Sequence, residues 1–260
     1  MNQDMLQTDV KDGVATIRMN RPDVHNAFDD VLIAALTAEL RRIEQLPEAR
    51  ILVLAANGKS FSAGADLNWM RRMAKYSEEE NLRDALALAG LMRTLNGLKK
   101  PTVARVQGAA FGGGVGLVAC CDIALASTDA AFSLSEVRLG LIPSVISPYV
   151  IAAIGEREAR RYFLTAERFD ALEARRIGLV HDVVDSSVLD EAVAKMAGHL
   201  LQGGPHALAA AKNLIADVSR RAMDDALAAE TARRIAAIRV EREGQEGLAA
   251  FFEKRKPNWS

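Results

Sequence analysis

Gln107-Gly108-Ala109-Ala110-Phe111-Gly112-Gly113-Gly114-Val115-Gly116 stands between an apolar run at 102–106 and a second one at 122–126. The run Thr102 to Val106 reads as a strand, the residues around Gly116 as a short helix, and Asp122 to Ala126 as the next strand. Strand–helix–strand order with connections this long implies parallel pairing and a right-handed crossover. Three consecutive glycines in a folded core lose much backbone freedom, so something at 112–114 requires bare backbone. Gly114-Val115-Gly116-Leu117-Val118-Ala119 also fits G-x-G-x-x-A, the dinucleotide fingerprint, with the acid Glu136 about twenty residues on. That fingerprint places its glycines in the turn directly after the strand and usually opens the first unit of the chain. Gly114 stands eight positions past Val106, in mid-chain, which argues against it.

Outward from this stretch the alternation of strand and helix continues. Val14 to Met19 alternates with period two and ends at the turn signal Asn20-Arg21-Pro22-Asp23. Asp29 or Asp30 can cap a helix that carries Leu32, Ala35, Leu36, Leu40 and Ile43 on one face. Ile51 to Ala55 is a short apolar strand broken by Asn57-Gly58, and a helix from about Glu78 to Leu98 precedes Pro101. Beyond Pro148 the chain turns helical, with Ala-rich amphipathic segments near 156–164, 188–202, 205–218, 221–240 and 246–254. These patterns predict an α/β core over 1–190 and a helical region over 191–260.

Composition narrows the function classes. Hydrophobic residues make up 50% of the 260, and charged residues 26%, which fits a globular domain and argues against disorder. With 33 Lys+Arg against 34 Asp+Glu the net charge is −1, so nothing points to nucleic acid or a membrane surface as a partner. Cys120 and Cys121 are adjacent, a poor arrangement for a structural disulfide, and the four histidines show no metal-ligand spacing. The start MNQDMLQTDV has no basic stretch leading into an apolar one, and a reduced, cytoplasmic setting is expected.

Two further segments can carry chemistry. Phe61-Ser62-Ala63-Gly64-Ala65-Asp66 lies after the strand at 51–55 and before a helix starting near Leu67. Small residues there let a ligand reach the backbone, and amides at a helix start favour negative charge. An ordinary loop with Asp66 as helix cap accounts for the same residues. Glu136, in the run Phe132 to Pro143, sits among apolar residues, where burial raises a carboxyl towards the range useful for proton transfer. A surface pair with Arg138 is the plainer reading.

In this order, the segments resemble the crotonase (enoyl-CoA hydratase/isomerase) family along nearly the whole chain. Arg21-Pro22 with Asn26-Ala27 resembles the family's adenine-side loop, and FSAGADL (61–67) its first oxyanion segment. VQGAAFGGGVGLVACCDIALA (106–126) resembles the second, and EGLAAFFEKRKPNW (246–259) the C-terminal helix near coenzyme A. The resemblance implies a spiral of ββα units with a helical C-terminal trimerisation region, assembled as a homotrimer or homohexamer. It implies Ala65 and Gly113 as the amides that bind the thioester oxygen. It implies coenzyme A contacts at Ala27, Ala63, Asp66, Leu67, Phe251 and Lys254. Coenzyme A enters as part of the substrate, with no prosthetic group.

One departure matters. Hydratases of the family usually carry a first glutamate just after the triple glycine; here that position is Gly116, while Glu136 matches the second. The segments LSEVRLGLIPSVISPYV (134–150), GVGLVACCD (114–122) and ADLNWM (65–70) resemble hydratases of branched glutaconyl thioesters, including 3-methylglutaconyl- and isohexenylglutaconyl-CoA, which also lack the first glutamate. Double-bond migration between C3 and C2 needs only one base and is the alternative; a non-catalytic acyl-CoA-binding protein is a second. A distal substrate carboxylate needs a cation, for which Arg71, Arg72, Lys75 and Arg138 are candidates. Trp69, Met70 and Met73 are candidates for the acyl pocket.

Overall fold

A computed structural model describes residues 5–259; residues 1–4 of the stretch read for a leader lie outside them. The main sheet begins with the hairpin β1 (Leu6–Lys11) and β2 (Val14–Met19), closed by Asp12-Gly13, both with positive φ. It continues through β3 (Ile51–Ala56), β4 (Thr102–Val106), β6 (Ile123–Ser127) and β9 (Asp182–Val184), in the order β1-β2-β3-β4-β6-β9. β1 runs antiparallel to β2, and every later neighbour is parallel. A smaller sheet pairs β5 (Ala109–Phe111) with β7 (Ala131–Ser133) in parallel, and β7 with β8 (Phe169–Asp170) antiparallel.

Parallel pairing requires crossovers, and the helices supply them. α1 (Asp30–Gln45) links β2 to β3, with the Asp29 carboxylate accepting from the Leu32 amide at 2.7 Å. α2 (Leu67–Met73) and α3 (Glu78–Asn96) link β3 to β4, and Ser77 with Glu80 forms a capping box at the start of α3. α4 (Gly113–Cys120) links β5 to β6. α5 (Ser147–Thr165) is interrupted at Gly155 (φ 76°), so the helix expected at 156–164 is its second half.

β3 is buried along its whole length, as a strand covered on both faces must be. Leu52, Leu54, Ala104 and Ala124 face the main core with Leu32, Leu36, Met92 and Leu95. Ile51, Val53, Val103 and Leu125 face the other way, onto Leu189 and Val193 of α7 (Leu189–Leu201). α6 (Ala171–Arg176) closes the small sheet beside β8. α7 thus packs on the sheet and runs across the expected boundary at 190.

The chain that stands off the sheet begins at α8 (Pro205–Val218) and continues through α9 (Asp225–Val240) and α10 (Arg242–Phe252). α8 buries no residue, α9 only Leu227 and α10 only Ala250. Lys212 of α8 anchors this unit to the sheet through Asp122 at 2.8 Å. Asp122 also accepts from the amide and hydroxyl of Thr102. Ile235, Val240, Leu248, Phe251 and Phe252 are exposed on the helical unit. Among the described residues no helix is long and apolar enough to cross a membrane.

Candidate active site

The two glycine- and alanine-lined segments leave adjacent parallel strands, β3 and β4, at the same end, and the backbone ties them together. Ser62 N–H donates to Ala109 O at 3.0 Å, and Phe111 N–H donates to Ser62 O at 2.9 Å. Both segments need their missing side chains. Gly64 (φ 90°) lies so near the second segment that a Cβ on it would stand 3.1 Å from Phe111 O. A Cβ on Gly114 would stand 2.6 Å from Ser62 O.

The first segment is held from its other side by Phe28. Phe28 N–H donates to Gly64 O, and Asp66 N–H donates to Phe28 O, both at 2.7 Å. In a parallel bridge bonded through the flanking residues, the middle residue turns its own amide away, so Ala65 N–H points opposite to Phe28. Gly113 is the first residue of α4, where an N–H has no acceptor within the helix. Among the described residues neither the Ala65 nor the Gly113 amide has an acceptor. Gly113 also backs onto the Phe28 ring: a Cβ there would fall 2.9 Å from Cε2. One phenylalanine therefore braces both segments.

Glu136 reaches the same place from the small sheet. Gly112 N–H donates to Ser133 O at 2.9 Å, extending the pairing of β5 with β7, and three residues later the chain turns into a 3-10 turn at Glu136–Leu139. A Cβ on Gly112 (φ 49°) would stand 3.0 Å from Glu136 Oε1. The second oxygen, Oε2, is buried with no hydrogen-bond partner among the described residues. Burial pushes the carboxyl above its ordinary value, against a smaller pull from the residue's own amide. One carboxylate oxygen thus lies against bare backbone and the other is buried without a partner.

The loop at 21–27 packs against the first segment. Buried Asn26 (φ 53°) accepts from the Arg21 amide at 2.7 Å and donates to Asn57 O and Ser60 O, both at 2.8 Å. Ala63 N–H donates to His25 O, and Arg21 donates to Ala27 O at 2.6 Å. The Arg21 guanidinium also pairs with Asp29 at 2.9 Å and Asp66 at 3.2 Å. Burial works to raise the Asp66 carboxyl; the amides of Trp69 and Asn68 and the Arg21 charge outweigh it and hold it below its usual value. Asp66 is therefore the cap of α2, as the plainer reading had it, with its amide and carboxylate both engaged.

Ala27 is buried, whereas Ala65 and Leu67 are exposed beside the segment. Phe251 lies at the end of α10 and Lys254 just past it, both exposed, and α10 packs chiefly on α9 and α8. Trp69 is buried, with Nε1 donating to Asp84 at 3.1 Å, and Met73 packs on the core. Of the cations considered, Arg71 donates to Asn68 and Arg72 pairs with Asp30, while the Arg138 and Lys75 side chains have no hydrogen bond or ion pair among the described residues.

Position 116 holds a contact that sequence reading did not anticipate. A Cβ on Gly116 would fall 2.3 Å from Ile146 Cγ2, 2.9 Å from Ile146 Cβ and 3.2 Å from Met92 Cε. The space that a side chain at 116 would need is thus filled by two core side chains. Ile146 and Met92 look like any other core residues in the sequence. Only their packing on a glycine sets them apart.

The family model described as enoyl-CoA hydratase/isomerase matches residues 9–260. The solved structure of an enoyl-CoA hydratase from Shewanella pealeana is 50% identical, with a TM-score of 0.95 over 98% of this chain and 96% of that one. A crotonyl-CoA hydratase of Syntrophomonas wolfei is 32% identical over 95% of this chain and 94% of its own length. A 2,3-dehydroadipyl-CoA hydratase of Escherichia coli is 31% identical over the same shares, 95% and 94%. With the spiral of strands and helices, the clamped pair of segments and these relatives in agreement, this chain belongs to the enoyl-CoA hydratase/isomerase (crotonase) family.

Proposed function

We propose that this protein hydrates the C2=C3 double bond of an enoyl-CoA thioester, with Glu136 as the single proton carrier and the amides of Ala65 and Gly113 as the oxyanion hole. The observation that carries the reading is the Glu136 carboxylate, half sequestered from solvent against Gly112, next to two unspent amides. Glu136 takes a proton from water as the water oxygen bonds to C3. The π pair of C2=C3 shifts towards C2 and the thioester oxygen, whose negative charge meets the two amides. The protonated carboxyl then delivers its proton to C2, the carbonyl re-forms and the carboxylate is regenerated. One group serving one face gives syn addition. Fixed donors of this kind act as charge develops, and each contributes about 10²–10³ in rate.

The substrate we propose is a branched glutaconyl thioester. A distal carboxylate also belongs to the 2,3-dehydroadipyl group named for the Escherichia coli relative. Arg138, two residues past Glu136 and with no side-chain hydrogen bond or ion pair among the described residues, is the candidate to receive it. Coenzyme A would run along Ala27, Ala63, Asp66 and Leu67, with Phe251 and Lys254 supplied by a neighbouring copy of a homotrimer or homohexamer built through α8–α10. The test is a panel of crotonyl-, 3-methylglutaconyl-, isohexenylglutaconyl- and 3-hexenoyl-CoA. Absorbance of the conjugated thioester falls on hydration. Migration of the double bond in 3-hexenoyl-CoA, which the lone carboxylate at Glu136 also suits, makes it rise. A rise without any fall in the other three would replace the hydratase reading with an isomerase.

A further inference from the structure

We propose that Ile146 is a positioning residue for the Glu136 chemistry: its side chain plugs position 116 against any second polar group and keeps the wall beside the carboxylate dry. The inference rests on the single-carboxylate reading above and says what enforces it. Gly112, the cap of α4, and Gly116 within it are joined across one turn by the Gly116 N–H to Gly112 O bond at 3.2 Å. The first meets the Glu136 carboxylate and the second meets Ile146. Ile146 is 3% exposed and Met92 is fully buried, so neither can swing out to admit a side chain or water. Ile146 is also the residue from which α5 starts, since the amides of Tyr149 and Val150 both donate to its carbonyl at 3.1 Å. Its backbone is pinned, and its branched side chain has few rotamers to choose from.

The absence of an acid at 116 is therefore not a vacancy that one substitution would refill. Glycine at 116 and isoleucine at 146 form one unit, and each requires the other. The 3-10 turn carries Arg138, α4 ends at Cys120 and its cap Cys121, α5 carries Tyr149 and a charged run from Glu156, and α3 carries Arg93 and the charged residues of its first turns. None of them is among the causes that displace Glu136, where burial comes first.

Two measurements test this on the full-length protein. The first compares thermal unfolding of Gly116→Ala in the wild-type background and in an Ile146→Ala background. A plug requires Gly116→Ala to lower Tm far less once Ile146 is truncated, and an equal loss in both backgrounds overturns it. The second follows the ¹³C carboxyl shift of Glu136 with pH, assigned by its disappearance in Glu136→Gln, in Ile146→Val and Ile146→Thr. Valine keeps Cγ2 and the apolar wall, while threonine brings a hydroxyl and water. The Glu136 midpoint is expected to fall in the threonine variant and to hold in the valine one, and identical midpoints would reduce Ile146 to packing. Neither readout needs turnover, so failure of the hydratase reading with the thioester panel remains a separate result.

Discussion

Gly114→Ala separates the clamp between the two segments from ordinary helix stability. Gly114 sits in the second position of α4, where alanine would normally gain about 1 kcal/mol over glycine. Its Cβ, however, would stand 2.6 Å from Ser62 O, where ordinary contact begins at 3.4 Å, so the carbonyl must retreat by about 0.8 Å. Ser62 O is the acceptor for Phe111 N–H at 2.9 Å, and that bond would be stretched beyond hydrogen-bonding range. Losing it costs about 1 kcal/mol, and overpacking a buried backbone roughly 1–3 kcal/mol more. Set against the helix gain, the net loss of stability is about 1–3 kcal/mol. The effect on rate is of similar size in free energy, because the retreat pulls the Ala65 segment out of register with Gly113, and misplacement of about 1 Å costs on the order of 10² in kcat. The assay pairs kcat with the responsive thioester of the panel and Tm on the same sample. A variant with wild-type kcat, whatever its Tm, would refute the claim that these bonds set the oxyanion geometry.

Glu136→Gln should abolish hydration, with a loss of at least about 10²–10⁴ in kcat, and at the same time raise Tm near neutral pH. Burial holds this carboxyl above its ordinary value, so its contribution to stability is full below the unfolded-state value and is lost as pH rises through the folded one. The Tm gain over wild type should therefore shrink as pH falls, and a constant difference from acid to neutral pH would contradict it. Arg21→Met removes the shared partner of Asp29 and Asp66, at a cost of about 3 kcal/mol for partly buried pairs. Because Asp66 is held below its ordinary value, its stabilisation is present above the unfolded-state value and lost as pH falls, so the acid-unfolding midpoint of this variant should move to higher pH. Lys212→Met frees α8 from Asp122 and should cost about 1 kcal/mol, with proteolysis after residue 204 accelerated; unchanged cleavage would place the anchor elsewhere.

How legible each element was in the sequence follows from the range of the forces that form it. β2, β3 and β4 announce themselves because a strand buried on one or two faces must carry apolar residues with period two or without interruption. α8 was readable to its last residue: Pro205 opens it, and the Ala-rich run to Val218 has no competing signal. β5, β7 and β8 were not, being two or three residues long and held by partners tens of residues away. α7 reads like the other C-terminal helices, and nothing local says that Leu189 and Val193 cover the second face of the sheet.

The same division runs through the site. Gly112, Gly113 and Gly114 declare a need for bare backbone, and Glu136 declares an acid in apolar company, because conformational freedom and burial are written into residue type and neighbourhood. Residue pattern together with the family resemblance therefore led to the α/β spiral and to the candidate residues of its site. What it leaves open is why Gly116 is a glycine. The answer lies in Ile146, thirty positions away, and in Met92, twenty-four positions back on another helix. Packing against distant segments leaves no periodicity or spacing in the chain, so the closed second-acid position, the unspent amide of Ala65 and the Phe28 brace emerge only once the two sheets and α3, α4 and α5 are assembled.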